Sequence, residues 1–242
     1  MDKDGEGRRA FLKGAAAGGA AAVTVTLPLA AQAANAPQVA AGAPQAGANA
    51  PQGYSFLNTD EAAFIEAVVD HMIPADELTP KGTDLGINIY IDRSLAGGWG
   101  KGDRLYLQGP WQTGTPSQGY QLPLSPAELY RAGITAANAA CVKTYGKAFE
   151  KMAPAQREEF LLALRAGKVV FEDGPPAGVF FATLYQNVME GMFADPIYGG
   201  NRAKAGWKLI GFPGVIAVHR DHVTQYHNKK FNSDPLSIAD MS

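Results

Sequence analysis

Cysteine is almost missing from this sequence: Cys141 is the only one among 242 residues. A lone thiol excludes an internal disulfide, the C-x-x-C-H pair that attaches a c-type haem, and the four thiolates of an ordinary iron–sulfur cluster. Charge is sparse as well. Charged residues make up 18% of the chain with a net of −2, and no run of Lys or Arg forms the footprint that nucleic acid requires. After residue 34 no apolar run is long enough to cross a bilayer. No G-x-G-x-x-G follows a strand, and the nearest approach, Gly98-Trp99-Gly100-Lys101-Gly102, has the wrong spacing. The G-x-S-x-G elbow, H-E-x-x-H and the Walker loop are missing too. A flavin or nicotinamide held by this chain itself is therefore not expected. Cys141, in AANAACVKTY, reads as a buried structural thiol, with small apolar neighbours and nothing nearby to activate it.

What the sequence does have begins at its N-terminus. Gly7-Arg8-Arg9-Ala10-Phe11-Leu12-Lys13 precedes an uncharged Ala/Gly-rich segment that closes on Ala31-Gln32-Ala33. The adjacent Arg8 and Arg9 followed by Phe11 and Leu12 look like a twin-arginine export signal. Small residues at Ala31 and Ala33 suit a signal peptidase. Gly7 stands where Ser or Thr is commoner, and Asp2, Asp4 and Glu6 dilute the positive end. An uncleaved N-terminal anchor is the competing reading. Residues 35–53, NAPQVAAGAPQAGANAPQG, carry no charge and one valine, the composition of a flexible linker. The expected organisation is a signal peptide over 1–33, a linker over 34–57 and a helical domain over 58–242.

Within that domain, Asn58-Thr59-Asp60-Glu61 is a capping box. It opens a helix with Ala62, Ile65, Val68, Val69 and Met72 inward, ended at Ile73-Pro74. A second helix is expected from Thr83 to about Leu95, with strand as the alternative because Leu85, Ile87, Ile89 and Ile91 alternate. Residues 96–124 are rich in Gly and Pro and carry Trp99, Trp111 and Tyr120; so long an irregular stretch tends to be functional or interfacial. Ser125-Pro126-Ala127-Glu128 opens a helix to about Phe149, Ala153-Pro154 another, and a last one spans Val179 to Phe193. No βαβ alternation appears. The fold class is all-α, a single helical domain with long Gly-, Pro- and aromatic-rich loops.

Candidate chemistry is thin. His219 and His222, with Asp221 between them, stand a helical turn apart and offer a metal or acid/base pair, though the spacing matches no standard metal signature. A polar C-terminal segment packed on the core or on a partner is the blander reading. His71, Asp70 and the Asp76-Glu77 pair read as boundary and helix-end groups. More distinctive is Asp195-Pro196-Ile197-Tyr198-Gly199-Gly200-Asn201, followed by Gly206-Trp207-Lys208-Leu209-Ile210-Gly211-Phe212-Pro213-Gly214. Large aromatics beside glycines suit an interface anchor, and they equally suit a loop packed into the core. The candidate partner-facing residues are Trp111, Tyr120, Tyr198, Trp207, Phe212 and Pro213, with no catalytic, cofactor-binding or metal residue assigned.

These two motifs, with the twin-arginine start and Gly109-Pro110-Trp111 and Gly119-Tyr120-Gln121, resemble the gluconate 2-dehydrogenase subunit 3 family from about Phe56 to about Gly214. The resemblance implies a small subunit, carrying no cofactor, of a periplasmic membrane-bound dehydrogenase complex. In such complexes a large subunit of the glucose–methanol–choline oxidoreductase type holds FAD and oxidises the sugar acid. A multihaem cytochrome c subunit, with c-type haem, then passes electrons towards quinone. It further implies folded export through the twin-arginine translocase as escort of the flavin subunit, and a place at the outer face of the inner membrane. The related alternatives are the small subunit of a glucose, fructose or sorbitol dehydrogenase complex, and an independent periplasmic metal- or sugar-binding protein.

Overall fold

The computed structural model describes residues 53–112 and 114–241. The proposed signal, with Arg8, Arg9, Phe11, Leu12, Ala31 and Ala33, lies outside the described residues, as does the linker up to residue 52. Among the described residues eight α-helices follow in the order α1 (Thr59–Met72), α2 (Ile87–Ala96), α3 (Gly98–Lys101), α4 (Pro126–Tyr145), α5 (Pro154–Arg165), α6 (Ala177–Phe193), α7 (Ala205–Ile210) and α8 (His222–Gln225). Short 3₁₀ turns link several of them. Among the described residues there is no strand, only a parallel bridge between Gly214 and Leu236. The chain is helical, as its periodicity implies.

Local chemistry accounts for most helix ends. Asn58 accepts from the Glu61 amide while the Glu61 carboxylate takes the Asn58 amide, each at 2.9 Å, so two orphan donors of α1 are satisfied reciprocally. Ser125 and Glu128 repeat the device at α4, where Pro126 fills the first turn. Between 83 and 96 the helix wins over the strand, because Ile87, Ile91 and Leu95 are buried on one helical face. It starts at Ile87 and not at Thr83, since Gly86 sits in the left-handed region and the residues before it form turns. Helix α4 ends at Tyr145, short of the expected Phe149, because Gly146 takes a left-handed cap. Phe149 belongs instead to a 3₁₀ turn that drops its ring into the core. The 96–124 stretch is less irregular than its composition implies, holding α3 and a 3₁₀ turn at Pro116–Gln118.

The core gathers one face of α1, α2, α4, α5 and α6 around an aromatic centre. Phe64 lies 5.1 Å from Phe149 and 6.4 Å from Phe180, and Tyr130 meets Phe180 edge-on at 6.0 Å. Tyr130 is fully buried, and its hydroxyl donates to Asn187 Oδ1 at 2.7 Å. Burial, then the charge of Glu190, holds that hydroxyl protonated well above the ordinary tyrosine range. Cys141 is buried in the same core, and burial pushes its thiol up to about 12, which makes it inert.

The start of the domain is clamped from a distance. The buried carboxylate of Asp92 on α2 accepts the backbone amides of Ser55 (2.7 Å), Phe56 and Leu57 (2.9 Å each). Arg131 on α4 adds a second hold. Its guanidinium reaches both Glu61 oxygens at 2.8 and 2.9 Å, donates to the Phe56 carbonyl at 3.1 Å, and lies 4.2 Å over the Phe56 ring. The start of the domain is thus held in place from α2 and α4.

Candidate partner-facing surface

The two C-terminal motifs fold back on the end of α6. Asp195 caps its turn by accepting from the Ile197 amide at 3.0 Å, and its other oxygen takes the Ile238 amide at 2.9 Å. Gly199, at φ 105°, adopts a backbone closed to other residues. A Cβ on Gly200 would stand 2.2 Å from the Gly191 carbonyl oxygen, and one on Gly206 the same distance from that of Met192. Asn201 is fully buried; its amide donates to the Ala194 carbonyl and its oxygen accepts from the Gly206 amide, both at 2.8 Å. These residues let one stretch of this chain lie against another. The close backbone that the glycines accommodate is the protein's own.

The aromatic members divide accordingly. Trp207 is buried at 5% exposure, its indole donating to the Phe193 carbonyl at 2.7 Å and meeting Phe212 edge-on at 5.3 Å. Its surface is spent inside this chain, which removes Trp207 from the set facing outward. Phe212 and Pro213 are half-buried beside it. Tyr198 is the outward residue of the motif, 56% exposed. Around it the last residues return: the Pro235 carbonyl and the Asp240 carboxylate accept from Lys204 at 3.0 and 2.6 Å, and the Ser237 amide and hydroxyl each donate to Asp240 at 2.7 Å. The Lys204 contact, followed by those of Ser237, holds the Asp240 carboxyl far below the usual carboxylate range. Exposed Ile238 and Met241 complete an apolar rim.

The second aromatic element is the 109–124 loop. Trp111 is 36% exposed and shares a shallow hollow with Gln112, Thr115, Tyr120, Gln121 and Pro176. Tyr120 is half-buried and donates to the Leu124 carbonyl at 2.6 Å; burial, then Glu128, pushes its hydroxyl up to about 12, so it stays a donor at any ordinary pH. Among the described residues its lining carries no charged side chain.

His219 and His222 do come together, with their Nδ1 atoms 3.0 Å apart. His219 Nε2 lies 3.1 Å from the Pro213 carbonyl, so the ring donates there and leaves Nδ1 bare to accept from His222. Both rings pack on Phe231. Among the described residues no third His, Cys, Asp or Glu joins them to form a metal cluster. His71 pairs with Glu158 at 2.7 Å, Asp70 with Lys81 and the Thr83 amide at 2.8 Å each, and Asp76 takes the Leu78 and Thr79 amides. Each of these groups has a structural partner.

Against known protein families, the one described as gluconate 2-dehydrogenase subunit 3 matches residues 59–214, from the first residue of α1 to the glycine of the Gly214–Leu236 bridge. No curated protein and no solved structure gives a significant match.

Proposed function

Because the chain belongs to the gluconate 2-dehydrogenase subunit 3 family, we propose that it is the small subunit of a membrane-bound complex oxidising D-gluconate to 2-dehydro-D-gluconate. In this reading it holds no cofactor itself. FAD sits in a large partner subunit, c-type haem in a multihaem cytochrome subunit, and electrons leave towards quinone. The small subunit covers and stabilises the flavin subunit and carries it, folded, through the twin-arginine translocase on the signal marked by Arg8, Arg9, Phe11 and Leu12. Cleavage after Ala33 then leaves it on the periplasmic side. The observation that carries the proposal is the family match over residues 59–214.

Physical features of the chain support a covering role. The Asp195 and Asn201 hydrogen bonds fix the turn that carries the exposed Tyr198, and the Tyr120 bond to the Leu124 carbonyl ties down the end of the loop that carries Trp111, so few side chains need ordering when a partner docks. Tyr198 and Trp111, with Tyr120, Phe212 and Pro213 half-buried near them in sequence, are the residues assigned to that contact. The test is co-expression with a large flavin subunit of the glucose–methanol–choline type, followed by purification through a tag on this chain. Stoichiometric co-purification of a flavoprotein that reduces an acceptor with gluconate is expected. Recovery of this chain alone, with the flavoprotein active and stable without it, would refute the proposal.

A further inference from the structure

The stretch from Lys208 to Lys230 combines a basic balance with exposed aliphatic side chains. It carries Lys208, Arg220, Lys229 and Lys230 against a single acid, Asp221, in a protein whose net charge is −2. All four cations are exposed, and among the described residues none of them forms an ion pair. Between them, aliphatic side chains face water: Leu209 and Ile210 at the end of α7, then Ile216 and Val223 at 76% and 77% exposure. Arg220 and Asp221 keep right-handed helical backbone, joining the Ile216–His219 turn to α8 in one short coil. On it Ile216, Arg220 and Val223, spaced by four and three, are exposed. His219, His222 and Tyr226, spaced by three and four, are half-buried against Phe231, with ring centroids 4.8 to 5.4 Å from it. The coil therefore has an aromatic base and an exposed side carrying Ile216, Arg220 and Val223, with Asp221 exposed beside Arg220; the exposed Lys208, Lys229 and Lys230 stand on the segments that flank it. The base is fastened through the Pro213 carbonyl and the Gly214–Leu236 bridge.

We propose that this exposed side and its flanking lysines lie on an anionic bilayer surface, giving the chain a peripheral membrane contact of its own. The charge is complementary to anionic headgroups. The residue types point the same way, because protein interfaces favour aromatics and arginine and are depleted in lysine, whereas three of these four cations are lysines and the exposed apolar groups are aliphatic. A bilayer accepts shallow aliphatic tips while lysine stems reach back to the phosphates. The contact is peripheral, since among the described residues no helix is long and apolar enough to cross a membrane. Most of this stretch lies beyond Gly214, outside the family match, so the inference does not depend on the assignment of partners.

The test places an environment-sensitive fluorophore on a Val223→Cys variant of the full chain; buried Cys141 does not compete for the label. Vesicles of phosphatidylglycerol and phosphatidylcholine should shift its emission to the blue, at least tenfold more strongly at low than at high salt, and pure phosphatidylcholine should not. Adding Lys229→Glu and Lys230→Glu should abolish the shift. No shift with anionic vesicles, or a shift that survives the charge reversals, overturns the proposal. A shift produced only by the purified flavin subunit overturns it in favour of a protein contact.

Discussion

Replacing Asp92 should loosen the domain out of proportion to one surface-near carboxylate. The side chain is 2% exposed and accepts three consecutive backbone amides, from Ser55, Phe56 and Leu57. A hydrogen bond to a charged acceptor contributes a net ~1.5–3 kcal/mol, and three on one carboxylate add less than threefold. Asp92→Ala also frees Leu57, now 6% exposed, whose burial contributes another ~1.5–3 kcal/mol if it is lost. Some amides recover water once residues 55–57 come away, so the expected cost is about 3–5 kcal/mol. Asp92→Asn keeps one acceptor oxygen and turns an amide donor towards an N–H, for a cost of about 2 kcal/mol. Urea unfolding followed by circular dichroism reads both values from the midpoint, and limited proteolysis reads the release of residues 53–57 directly. If Asp92→Ala costs less than about 1 kcal/mol and leaves residues 53–57 protected, the clamp is not what holds the start of the domain.

Two further outcomes follow from the C-terminal motifs. Gly200→Ala places a methyl 2.2 Å from the Gly191 carbonyl oxygen, where only backbone can move, and should destabilise by about 3 kcal/mol or more; a midpoint within experimental error of the parent would contradict that packing. Asp240, held far below its ordinary value by Lys204 and then Ser237, stabilises the C-terminal latch fully above the unfolded value of about 3.9. That stability is lost as pH falls from there through the folded value. The stability gap between the parent and Asp240→Asn should therefore be open at neutral pH and close in strong acid, and a gap that widens on acidification would reverse the sign of the argument.

Which features were legible in the sequence follows from how local they are. The capping boxes at Asn58 and Ser125 are decided within three residues, so the starts of α1 and α4 could be read directly. On α1 the spacing places Ala62, Ile65, Val68 and Val69 inward, as found, but it leaves out the equally buried Phe64 at the centre of the core. Phe149 continues the apolar pattern and so extends the expected α4, while Gly146, with its left-handed cap, ends the helix at Tyr145. Asp92 gave no signal, since its partners lie 35 to 37 residues earlier and a lone acid on a helix resembles any solvated one. The motif glycines announced a close backbone approach without saying whose. The contacts with Gly191 and Met192 answer that question and draw Trp207 inward, leaving Tyr198 exposed. The spacing of His219 and His222 placed them a turn apart, but the Pro213 carbonyl that orients the pair lies across a loop.

The proposed escort of a flavin subunit is read from the fate of that subunit when Arg8→Lys and Arg9→Lys are introduced together. Periplasmic FAD and gluconate-dependent acceptor reduction would be assayed in cells expressing the complex with either form. The substituted signal should strand the flavin subunit, folded and FAD-loaded, in the cytoplasm. If the flavin subunit reaches the periplasm at the parental level, the chain is not its escort.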